Sequence, residues 1–258
     1  MPSSNAILID SIPVAHTIIG EGFPILMLHG WGANRTLVTP LAEKLTPQGF
    51  QCYVPDLPAF GDTPEPPIAW TVFDYATFVL AYMDTLQLER VHLFGHSFGG
   101  RLSLILAADY PNRFDKIVLA DSAGIRPKVA TSDQLRTRLY KGIRSTLEAL
   151  GLKSLSATLR TAYNKRYGST DFNAVSGVMR QTFINVINED LLPYAHRIPH
   201  PTLLFWGDQD LDTPLWMGQT LEKMIPDAAL IVHEGAGHYS YLDRLTDTAR
   251  IMGHFFKN

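Results

Sequence analysis

Short β-forming runs alternate with helix-period stretches along this chain, and that alternation constrains its fold more than any other feature. Ile25-Leu26-Met27-Leu28, Gln51 to Val54, Val91 to Phe94, Lys116 to Ala120, Thr202 to Trp206 and Ala229 to Val232 read as strands. Between them, residues 36–49 form a helix candidate ending at Gly49. Val72, Tyr75, Ala76, Val79, Met83 and Leu86 recur at helical spacing, as do Leu102, Ile105, Leu106 and Ala108. Further helices are expected over Pro214 to Met224 and Tyr241 to Phe256. Strands separated by helices imply an α/β fold, a mostly parallel central sheet with helices on both faces. The opening stretch, Ile7 to Ile19, looks instead like an antiparallel strand pair preceding that sheet.

The alternation lapses in one place. Residues 125–199 carry little strand signal, with helical character over Arg136 to Leu150 and Phe172 to Val186. Strand signal resumes with Thr202, just after Pro201, so this segment reads as a helical insertion between two strands of one sheet. The expected organisation is a core of residues 1–124 and 200–258 with residues 125–199 inserted. Charge separates the two parts. Residues 125–200 hold 12 of the 22 Lys and Arg but 5 of the 25 Asp and Glu, a balance of +7 against −10 for the remainder. A solvated surface, or docking of the insertion on the core, accounts for this; attraction of an anionic substrate is the functional alternative.

Composition narrows the function classes. Hydrophobic residues make up 46% of the 258 and charged residues 18%, as in a globular protein with a sizeable core. The net charge of −3 gives no overall cationic field for nucleic acid. The single cysteine, Cys52, excludes an intrachain disulfide and sits in an apolar run, where it reads as a small buried hydrophobe. The first 20 residues lack the basic and apolar blocks of a signal peptide. No apolar run approaches the ~18–20 residues that span a bilayer. A soluble, cytoplasmic protein is the expectation.

Three glycine-containing segments follow strand candidates, where loops of such a sheet can converge. Gly95-His96-Ser97-Phe98-Gly99-Gly100 holds Ser97 between a strand and a helix. A serine on so sharp a turn needs neighbours nearly free of side chain, and Gly95 and Gly99 supply them. The pattern alone is weak; its strand–turn–helix context gives it weight. His29-Gly30-Trp31-Gly32 can aim a backbone amide at a carbonyl oxygen, so the amides of Trp31 and Phe98 are the candidate oxyanion hole. His29 itself reads as a brace for that loop rather than a base. Gly235-Ala236-Gly237-His238 places a histidine beyond the last strand, able to reach a serine. His92 lies within a strand and His96 inside the turn; His16, His196, His200, His233 and His254 lack such a context. For the acid that orients the histidine, Asp208, Asp210 and Asp212 compete after one strand, and Asp121 ends an earlier one.

Four motifs in this order, HGWG at 29–32, DLPAFGDT at 56–63, GHSFGG at 95–100 and WGDQD…GAGH ending at 238, resemble the α/β-hydrolase superfamily. The resemblance spans essentially the whole chain outside the insertion, which is similar to the family's helical cap. It implies the order Ser97…Asp210…His238 for nucleophile, acid and base, since the acid is the fourth residue of Gly-x-x-Asp. Ser97 argues against the dehalogenase and epoxide-hydrolase branches, which use aspartate. The HGWG loop resembles that of pimeloyl-carrier-protein methyl ester esterases. One departure is Ala59, where the family usually has glycine. The implied activity is hydrolysis of a small-molecule carboxylic ester without metal or organic cofactor. Two alternatives stand beside it: carbon–carbon bond hydrolysis of meta-cleavage-type diketones, and a small-molecule receptor that keeps the triad. Tyr239 weakens the former, whose enzymes commonly carry tryptophan after the catalytic histidine.

Overall fold

The structure, a computed structural model, describes residues 6–126, 131–167 and 170–258. Strands β1 (Ile7–Ile9), β2 (Ile12–Val14), β3 (His16–Gly20) and β4 (Phe23–Leu28) come first, followed by helix α1 (Arg35–Leu45) and β5 (Phe50–Pro55). Next are α2 (Val72–Thr85), β6 (Val91–His96), α3 (Phe98–Asp109) and β7 (Phe114–Ala120). Helices α4 (Thr131–Ala149), α5 (Lys153–Tyr167), α6 (Thr170–Ala174), α7 (Gly177–Asn188) and α8 (Leu192–Ala195) separate β7 from β8 (Thr202–Gly207). The chain closes with α9 (Leu215–Met224), β9 (Ala228–His233), α10 (Ser240–Asp243) and α11 (Leu245–Lys257).

Seven strands form one sheet in the order β3-β5-β4-β6-β7-β8-β9, all parallel except β3. Because successive side chains point to opposite faces, each central strand feeds two cores. Leu26 and Leu28 of β4 pack with Leu93, Leu119, Leu204 and residues of α2, α3 and α9. Ile25 and Met27 pack on the other side with Phe94, Val118, Phe205 and residues of α1 and α11. Strands buried on both faces are the reason their sequences run continuously apolar rather than alternating. Cys52 belongs to the second core, and burial pushes its thiol up to about 12, so it is an inert hydrophobe.

Some boundaries differ from the sequence reading, each for a local reason. Only β1 and β2 form the opening hairpin; β3 leaves it and adds to the sheet antiparallel to β5. The first helix ends at Leu45, and a 3₁₀ turn over Thr46–Gln48 carries Pro47 before Gly49 turns the chain at φ +90°. The stretch from Phe172 to Val186 is two helices, interrupted where Ser176 is extended and Gly177 adopts φ +53°. Likewise Arg244, at φ −121°, divides the last helix. Helix α5 has no counterpart in the sequence reading; with a weak apolar face it follows α4 after Gly151 at φ +75°. Among the described residues, no helix is long and apolar enough to cross a membrane.

Candidate active site

Ser97 occupies the turn between β6 and α3 with φ +50° and ψ −106°. A non-glycine residue there costs about 1–3 kcal/mol and persists only if its surroundings hold it. They do: the Ser97 amide donates to Ala120 O at 3.1 Å, and Ser97 O accepts from Ala123 N at 3.0 Å. A Cβ on Gly95 would lie 2.4 Å from Ser103 Oγ, and one on Gly99 would lie 2.2 Å from Leu28 O. Both glycines are therefore required by close approach, not by backbone torsion.

His238 bridges Ser97 and Asp210. Its Nε2 lies 2.9 Å from Ser97 Oγ, and its Nδ1 lies 2.9 Å from Asp210 Oδ2. The Asp210 carboxylate also accepts from the amides of Asp212 and Thr213 and from Thr213 Oγ1, at 2.8, 3.0 and 2.7 Å. Burial disfavours charge on Asp210, but the His238 bond and charge together with Thr213 outweigh it and hold its pKa below 3.8. Burial likewise opposes protonation of His238, yet its bond to Asp210 and that residue's charge raise its pKa above 6.5. Of the competing acids, Asp208 accepts from Gly235 N, and Asp121 is committed elsewhere. Asp121 Oδ1 accepts from Gly207 N, and its Oδ2 from the amide and hydroxyl of Ser240, at 2.9, 2.9 and 2.7 Å.

The HGWG loop packs against this group. His29 Nδ1 donates to Gly30 O at 2.7 Å, which leaves Nε2 to accept from Leu57 N at 2.9 Å. With both nitrogens occupied and burial lowering its pKa to about 4, His29 is a neutral brace. His96 is braced too, its Nε2 2.8 Å from His238 O. Gly30 lies so close that a Cβ would sit 2.9 Å from His96 Nδ1 and 3.2 Å from Ser97 Cβ. Trp31 and Phe98 line the space above Ser97, and among the described residues neither amide donates to another group.

That space is a cavity of about 430 Å³ walled by Trp31, Phe98, Phe183 and Val186, with Arg101, Asp171, Asp212 and Tyr239 as its polar lining. Phe183 and Val186 come from α7 and Asp171 from α6, so the segment between β7 and β8 forms part of the cavity wall. Sequence reasoning missed Thr213, whose hydroxyl lies 2.7 Å from Asp210 Oδ2, 3.0 Å from Asp121 O and 3.3 Å from His238 Nδ1. It lies three residues past Asp210, and no pattern in the sequence sets it apart. Arg101 was also missed, although its place four residues after the N-cap Ser97, one helical turn on along the same face, carries the signal. Asp210, Asp212 and His238 bring one ligand-type atom each to within 4.8 Å of the others. Because both His238 nitrogens and the Asp210 carboxylate are already engaged with one another and with Ser97, that cluster does not read as a metal centre.

A family model described as alpha/beta hydrolase fold matches residues 24–245. Among curated proteins, the chain is 27% identical over 252 residues to Lipase 3 of Moraxella sp. (strain TA144), covering 88% of this chain and 75% of that one. It is 27% identical over 257 residues to the 2-hydroxymuconate semialdehyde hydrolase of Pseudomonas sp. (strain CF600), covering 92% and 87%. Of solved structures, an esterase from Exiguobacterium antarcticum superposes with a TM-score of 0.77 at 23% identity, over 99% of this chain and 100% of the other. The chain belongs to the α/β-hydrolase family.

Proposed function

We propose that this hydrolase cleaves carboxylic esters through an acyl-enzyme intermediate on Ser97. The observation that carries this reading is the bonded series Ser97–His238–Asp210, opening onto a cavity of about 430 Å³. Ser97 Oγ attacks the carbonyl carbon while His238 Nε2 takes its proton. Asp210 holds the imidazole by Nδ1 and stabilises its charged form. The amides of Trp31 and Phe98 receive the oxyanion, where one donor is worth about 10²–10³ in rate. His238 then protonates the leaving alcohol, and a water repeats the sequence to release the acid. Residues 1–124 and 200–258 are taken as the catalytic core and 125–199 as a cap that walls the acyl pocket.

A fluorophosphonate that modifies Ser97, together with turnover of an aryl-ester panel of varied acyl length, tests the proposal. Absence of both would reject it and leave the receptor alternative. A second reading is favoured by the likeness to the semialdehyde hydrolase: cleavage of a carbon–carbon bond in a vinylogous diketone. Loss of dienol absorbance on mixing, faster than hydrolysis of any ester in the panel, would select it.

A further inference from the structure

Arg101 is a buried cation that forms no salt bridge among the described residues. It projects from the first turn of α3, four residues beyond Ser97, and is only 6% exposed. Its Nη1 donates to Val186 O and Glu189 O, both at 2.8 Å, closing the C-terminal end of α7. Among the described residues no carboxylate lies within ion-pair distance of it, and its Nε and Nη2 have no protein acceptor. Those nitrogens are not sealed away, because the residue lines the cavity above Ser97. Burial lowers its pKa only to about 10, so it is charged at neutral pH. Burying an unpaired guanidinium is costly, whereas a carboxylate placed on its free fork makes the strongest class of side-chain hydrogen bond.

The rest of the cavity fixes which part of a substrate would bring that carboxylate. His238 must hand its proton to the leaving oxygen, so the leaving group lies toward His238. Asp171, Asp212 and Tyr239 line the cavity there; Asp171 feels both Asp212 and the charge of His238. An anionic leaving group would face two acids. Arg101 is instead tied to the C-terminal end of α7 through Val186 O and Glu189 O, with Glu189 and Asp190 acting on its charge. We propose that Arg101 is the receptor for a carboxylate on the acyl half of the substrate, making the preferred substrates monoesters of dicarboxylic acids. This rests on the ester-hydrolase reading for its chemistry, though not for its binding.

The test compares two aryl esters of equal acyl length, p-nitrophenyl hemiadipate and p-nitrophenyl hexanoate. The wild-type protein is expected to favour the hemiadipate in kcat/KM by about ten- to a hundredfold, the worth of one charge-assisted contact. In Arg101→Gln that ratio falls to about one or below. The ratio is the readout because loosening α7 would slow both substrates together. If Arg101→Gln does not fold, Arg101→Lys, which keeps the charge but loses the planar fork, should lower the ratio partway. A wild-type ratio of one or less, or a ratio unchanged in the variants, overturns the proposal. If neither ester is turned over, the hydrolase reading fails instead, and calorimetry with adipate judges the receptor separately. Binding that Arg101→Gln abolishes supports the carboxylate site; equal binding, or none to either protein, overturns it.

Discussion

Ser97 Oγ and His238 Nε2 lie 2.9 Å apart although 141 residues separate them in the chain. The parallel sheet brings this about: both residues follow the C-terminal ends of strands, where loops from distant parts of the sequence converge. Ser97→Ala is expected to lower kcat by about 10⁴–10⁶ while leaving the fold intact. The same site should reveal its strain. Since Ser97 holds φ +50° and ψ −106°, Ser97→Gly should be more stable than Ser97→Ala by about 1 kcal/mol while equally inactive. Thermal unfolding of the two variants checks this, and equal midpoints would remove the strain argument.

Two buried aspartates near the histidine have separable roles. Asp210 contacts the ring, so Asp210→Asn should cut kcat by about 10²–10⁴ by favouring the wrong tautomer. Asp121 instead ties the ends of β7 and β8 to Ser240, two residues past His238. Asp121→Asn turns an amide NH₂ toward existing donors and should cost about 1–3 kcal/mol of stability, with a smaller loss of rate. Measuring kcat and denaturant midpoints for both variants decides the matter. If Asp121→Asn proves the more damaging to kcat, Asp121 rather than Asp210 is the acid.

The pH profile follows from the direction of the His238 shift. The proposed base must be neutral to act, and Asp210 raises its pKa above 6.5, so kcat/KM should climb through an acidic limb whose midpoint exceeds 6.5. Removing the Asp210 charge in Asp210→Asn should move that limb to lower pH. The stability linkage runs oppositely for the two partners. The His238 contribution is complete below 6.5 and is lost as pH rises through its raised value. That of Asp210 is complete above 3.8 and fades as pH falls through its depressed value. An Asp210→Asn profile superimposable on the wild type would contradict this assignment.

The sheet was legible in the sequence because its strands are buried on both faces and run continuously apolar, as at Ile25 to Leu28. That Ser97 and His238 come together was expected from their motifs: Gly95 and Gly99 are required by close approach beside Ser97, and Gly235 takes φ +72° before His238. Which aspartate would meet His238 was not legible, since Asp208, Asp210, Asp212 and Asp121 all follow strand ends, and only side-chain direction separates them. Thr213 was missed for a related reason: its contacts depend on what faces it in space. The helices between β7 and β8 were the least legible. Some of their apolar residues, Leu139 of α4 and Leu155 of α5, are exposed, so hydrophobic period marks their boundaries poorly.

Ala59, which stands where the resembled family motif is expected to carry glycine, proves to be a backbone problem. The residue holds φ +78°, a left-handed conformation that costs a residue with a Cβ about 1–2 kcal/mol. The loop enforces it. Ala59 N donates to Pro64 O at 3.0 Å, and nearby the buried Asp56 carboxylate accepts from the amides of Arg35 and Asp62 at 2.6 and 2.9 Å and binds the Arg35 guanidinium. Glycine would remove the steric cost but adds freedom to the unfolded chain, worth about 0.5–1 kcal/mol against it. The balance predicts that Ala59→Gly stabilises the protein by up to about 1 kcal/mol. Activity should change little, because Ala59 does not line the cavity above Ser97. Chemical denaturation with an unchanged slope and a higher midpoint is the expected result. A lower midpoint would mean that packing of the Ala59 methyl against the core outweighs its strained torsion.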